Sequence, residues 1–121
     1  MSPQVINSNF PLMPHTVTMP PNVTLDLISA DASHTRRVAL LGLLDNSPSL
    51  YLPAAFCAGA VEASEGVLAS AARLVPELVD NGAVDLVLPL THQVVDDDLE
   101  LAELVGDRRC ASGPSAGPPL R

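Results

Sequence analysis

The most constraining feature of the sequence is the stretch from Ala83 to Val105, AVDLVLPLTHQVVDDDLELAELV. Of the six residues other than Asp85 between Val84 and Leu90, five are apolar, and the run is short and rich in Val and Leu. Such a run suits a strand covered on both faces better than an alternating surface strand. It ends at Thr91-His92-Gln93, and an acidic, Leu-rich helix follows. A histidine at the C-terminal end of a buried strand stands where α/β sheets collect their ligands. The stretch therefore predicts one imidazole held at the mouth of a sheet.

The segments upstream supply the partners of that strand. Gln4 to Phe10 reads as a short strand broken by Pro11 and Pro14, and a proline-rich connection reaches Pro20-Pro21. Val23 to Ala30 alternates in the strand manner, and the turn-like Ala32-Ser33-His34-Thr35 leads into the apolar run Arg37 to Leu44. A hairpin between the two is the simplest local solution. Asp45 to Gly59 is a loop long enough to suggest a function of its own. A helix is expected from an N-cap at Ser64 with Glu65 in its first turn. Val67, Leu68, Ala71, Leu74, Val75, Leu78 and Val79 make its apolar stripe, Pro76 interrupts it, and Asn81-Gly82 ends it. Strand, helix and strand 84–90 form a βαβ unit with a right-handed crossover expected. Asp96, Asp97 and Asp98 open the second helix and read as partners of its dipole. From Asp107 to Arg121 the chain is small, Pro/Gly-rich and aperiodic, which predicts a disordered tail after an α/β domain over residues 1–106.

Length and charge narrow the function. The 121 residues allow one small domain. The formal charge is -8 and all six basic residues are Arg, a balance that argues against nucleic-acid or anionic-membrane partners. A phosphate-bearing substrate would have to be met by something other than side-chain cations, and a metal is the obvious candidate. Cys57 and Cys110 fit neither a metal spacing nor a disulfide framework and read as plain thiols. His15 and His34 lie in loop-like surroundings and read as exposed. Asn22-Val23-Thr24 matches a glycosylation sequon by chance, since the first residues lack the basic start and apolar core of a signal peptide. No apolar run approaches the ~18 residues of a membrane span, so a soluble product is expected in an unassigned compartment.

The order of the pieces carries a resemblance. Asn7-Ser8-Asn9-Phe10, Arg37 to Leu44, Pro48-Ser49-Leu50-Tyr51 with Pro53 and Phe56, Val84 to Gln93, and Asp98 with Leu101-Ala102 together resemble the 5′-nucleotidase-like branch of the calcineurin-like metallophosphoesterases. The resemblance covers roughly residues 5–105, and Thr91-His92-Gln93 followed by Asp98 and Leu101-Ala102 is its most specific part. It implies a partial metallophosphoesterase domain, drawn from enzymes in which two divalent ions (Mn, Zn or Fe) activate water against a phosphate ester such as a nucleotide. His92 would be one metal ligand, and Asp98 would anchor the following helix rather than touch metal. The family's Asp-x-His, bridging Asp and Gly-Asn-His segments fall before residue 1, and in place of its Gly-His-x-His segment stands the Ala/Gly/Pro-rich tail. One imidazole cannot hold a catalytic ion that needs about three protein ligands and an open position. The chain is therefore expected to bind no metal stably and to be inactive alone, with no catalytic residue assigned. Two other readings remain open: a small α/β binding or signalling module without catalysis, and a subunit that completes its sheet with another chain.

Overall fold

A computed structural model describes residues 4–13, 19–53, 55–56 and 59–112, the last six as backbone only. His15, Cys57 and the segment 113–121 lie outside the described residues, as does the side chain of Cys110. Strand β1 (Asn22–Ile28) and strand β2 (Thr35–Leu44) form the expected antiparallel hairpin. Helix α1 (Val67–Val79) then returns the chain to strand β3 (Leu86–His92), which pairs parallel with β2. The sheet order is β1-β2-β3, and helix α2 (Val95–Ser112) closes the fold. The result is a small α/β fold built on the βαβ unit that the apolar pattern predicts.

The core lies between one face of the sheet and the helices. Ala39, Leu41 and Leu43 of β2 alternate onto that face, where they meet Val67, Ala71, Leu74 and Val75 of α1, Val87 of β3 and Leu101 of α2. Each Val or Leu fully buried there contributes roughly 1.5–3 kcal/mol over its exposed state. Pro76 stands within α1, and Gly82 ends the passage out of the helix with a φ of +69°, a conformation that glycine adopts without a Cβ penalty.

Four expectations need correction. First, β3 is not covered on both faces: Val87 is buried, but Leu88 and Leu90 are about half exposed (48% and 49%). The strand lies at the edge of the sheet, and both helices pack on the same face. Pro89 fits that edge position, since a proline cannot donate to a ladder on both sides.

Second, α1 is capped at Gly66, not at Ser64. The Ser64 hydroxyl donates to the Val61 carbonyl instead, within the preceding turn. Glu65 accordingly precedes the cap instead of standing in the first turn, and it reaches forward along the helix, accepting from Ser70 Oγ at 2.5 Å and from Arg73 Nη2 at 2.9 Å. The Arg73 contact, followed by Ser70, holds its carboxyl below the usual range.

Third, residues 4–10 form no strand, yet they extend the sheet by other means. Pairing with β1 stops at Leu41, which leaves the backbone of Gly42 and Leu44 without a strand partner on that side. Ser8 meets Gly42, its N–H donating to Gly42 O at 2.8 Å while its Oγ accepts from Gly42 N at 3.0 Å. Asn9 meets Leu44 with its side-chain amide, Oδ1 accepting from Leu44 N at 3.0 Å and Nδ2 donating to Leu44 O at 2.7 Å. A side chain here completes the ladder that a backbone would otherwise supply.

Fourth, α2 continues six residues past Gly106, to Ser112, where the small-residue composition suggested an earlier end.

Candidate functional site

The site is built where β2 and β3 end together. Leu44 pairs with His92 in the parallel register, and Asp45 N donates to His92 O at 3.0 Å, so the loop after β2 is fastened to the histidine's backbone. The imidazole of His92 is exposed, as its place at the rim of an edge strand dictates. It borders a cleft of about 390 Å³ whose walls include Ile6, Phe10, Met13, Met19 and Leu90. Among the described residues no Arg lines this cleft, so these walls offer no fixed cation to a phosphate.

Asp45 is the residue beside His92 that sequence reading passed over. Its Oδ1 accepts from Ser47 N at 2.8 Å and from Ser47 Oγ at 2.7 Å, an arrangement typical of an aspartate opening a turn. These bonds, and to a lesser degree the His92 charge, keep its carboxyl ionised below the usual carboxylate range. Its carbonyl accepts the Tyr51 hydroxyl, whose own pKa is raised by burial and then by the Asp45 charge. The only signal in the sequence was the Asp-x-Ser spacing, which marks a turn and not a site.

On the other side of the histidine a compact clip joins β3 to α2. Thr91 Oγ1 donates to Asp98 Oδ1 at 2.6 Å, and Gln93 Nε2 donates to the same oxygen at 2.9 Å. Thr91 first, then Gln93, lower the Asp98 pKa. Asp96, Asp97 and Asp98 occupy the first turn of α2, where the macrodipole favours acids. His34, in the hairpin turn, is exposed and remote in the fold from this end of the sheet.

A further element frames the site. Phe10, Tyr51 and Phe56 pack against one another with ring centroids 5.6–6.0 Å apart, tilted or edge-to-face as aromatic quadrupoles prefer. They join the loop after β2 to the segment carrying Ser8 and Asn9. Phe56 takes a φ of +65°, a left-handed conformation uncommon for a side chain of this size. Phe10, 1% exposed, anchors the trio.

The arrangement presents one accessible imidazole, a carboxylate close to it and an apolar cleft. Among the described residues no three His, Cys, Asp or Glu side chains stand close enough to hold a metal ion. The described donors do not by themselves assemble a binuclear centre, and no chemical step through a metal is derived from them. Compared with protein-family models, curated proteins and solved structures, the chain finds no match in any of the three. Among the described residues, no helix is long and apolar enough to cross a membrane.

Proposed function

We propose that this chain is a segment of a metal-dependent phosphoesterase domain of the 5′-nucleotidase-like kind, and that it does not hydrolyse esters by itself. The reading is supported above all by the placing of His92, an open imidazole at the C-terminal rim of a parallel strand, beside a cleft. A ring enclosed by aliphatic neighbours would have argued for a packing role. The engagement of Asp98 with Thr91 and Gln93 is in keeping with the anchoring role that the resemblance gives it. In the intact domain, two divalent ions held by ligands from other segments would join His92 at this rim, and a phosphate ester such as a nucleotide would be the substrate.

Two measurements test the two halves of the proposal. The DNA on either side of the coding region should encode Asp-x-His and Gly-Asn-His segments upstream, or a Gly-His-x-His segment downstream, in some frame. Finding neither on either side refutes the parentage. The purified chain, given Mn²⁺ or Zn²⁺ and a nucleoside monophosphate or chromogenic phosphate ester, should show no turnover above the blank. Robust turnover that His92→Ala abolishes would overturn the claim of inactivity.

A further inference from the structure

Strand β3 ends the sheet, and among the described residues no strand pairs with its outer edge. Which backbone groups that edge presents follows from β2. Gly42 and Leu44 turn their N–H and C=O toward Ser8 and Asn9, on the β1 side. Arg37 and Asp45, at odd positions, turn theirs the other way: Arg37 O accepts from Asp85 N at 2.8 Å, and Asp45 N donates to His92 O at 3.0 Å. Leu41 shares that parity and lies opposite Pro89 in the register. In a parallel ladder a residue so turned bonds the neighbours of its opposite number, here Leu88 and Leu90, while the opposite residue faces away. The outward row of β3 is therefore Val87, Pro89 and Thr91, and its middle member has no N–H to offer.

We infer that Pro89 guards this edge: it keeps β3 from pairing with β3 of a second copy, and restoring an N–H at position 89 creates that pairing. The rest of the strand favours it. Leu86–His92 is a run of seven residues, LVLPLTH, with no Asp, Glu, Lys or Arg. Without the proline, such a stretch has the composition of segments that pair edge to edge. The other edge of the sheet is protected differently, since β1 carries Asp26, which is engaged with Arg37 at 3.0 Å. Two copies of β3 meeting antiparallel about an axis at Pro89 would set one ring against the other and form no bond at the centre of their ladder. A strand of any other kind would find its carbonyl opposite Pro89 without a donor. The guard costs its own sheet nothing, because the ladder with β2 uses the amides of Leu88 and Leu90.

The inference concerns this chain alone and uses neither the metal nor the ester of the proposed function. Amide hydrogen exchange on the wild type reads the edge without any substitution. The N–H groups of Val87 and Thr91 should exchange at least about ten-fold faster than those of Leu88 and Leu90, which are bonded to β2. Comparable protection at all four positions overturns the inference, because the edge would then be covered. Pro89→Val, which keeps much of the ring's bulk, and Pro89→Thr should each show a mass above that of the wild type in light scattering, rising over a hundred-fold range of concentration. In both variants Val87 and Thr91 should slow to the rates of Leu88 and Leu90. A cooperative urea transition followed by Tyr51 emission checks that each variant is folded. Folded variants that keep the wild-type mass refute the guard, and so does an assembly in which Val87 and Thr91 still exchange fast.

Discussion

A single amide decides how the start of the chain is held. Asn9 is 1% exposed, and its side chain makes three hydrogen bonds, two to Leu44 and one from Nδ2 to Glu65 O at 2.8 Å. Asn9→Ala leaves those backbone groups without their partner and should cost about 2–4 kcal/mol in urea denaturation. Asn9→Asp should cost more, because a carboxylate would face two carbonyl oxygens that now receive a donor. Gly42 makes a steric argument instead: a Cβ there would lie 2.8 Å from the Ile6 carbonyl carbon. Gly42→Ala should therefore push the N-terminal segment off the sheet at a cost of about 1–3 kcal/mol, read in the same way. His92→Ala, by contrast, removes an exposed ring and should change stability by less than about 0.5 kcal/mol. A loss of several kcal/mol on that substitution would assign His92 to the packing of the fold.

At the scale of elements, the junction between β3 and α2 turns on one carboxylate oxygen shared by Thr91 and Gln93. Because the folded state depresses the Asp98 pKa, its contribution is present above the ordinary value of 3.8 and is lost as pH falls through the folded value. Asp98→Asn should thus lower the urea midpoint at pH 6, and the gap from the wild type should narrow as pH drops below 3.8. A gap of constant size would mean that the charge plays no part in the clip. Asp98 and the βαβ unit were legible from sequence because acids at helix starts, apolar periodicity and Asn81-Gly82 punctuation are local signals. The open face of β3 was not. Leu88 and Leu90 are as apolar in sequence as Val87, and a run of Leu and Val records an affinity for cover without recording whether this chain provides it. Residues 4–10 defeated the reading for a different reason: Asn9 enters the ladder with its side chain, so no strand alternation marks it. Asp45 escaped because its neighbour His92 is 47 positions away, brought beside it only by the parallel register.

Across the whole molecule, protection is one-sided. Strand β2 has partners on both edges and carries Ala39 and Leu41 at 0% exposure, whereas β1 touches β2 alone among the elements and is mostly exposed. Native-state hydrogen exchange should be slowest for the amides of β2 and faster by orders of magnitude for the outer strand β1, which can open without disturbing the helices. Equal protection of β1 and β2 would contradict this one-sided arrangement. The aromatic trio has an optical corollary. The chain contains one Tyr, two Phe and no Trp, and all three rings belong to the same cluster. Its intrinsic ultraviolet emission thus comes from Tyr51 alone, so light at these wavelengths reports when the loop after β2 leaves Phe10, and stays silent about the hairpin at the far end of the sheet.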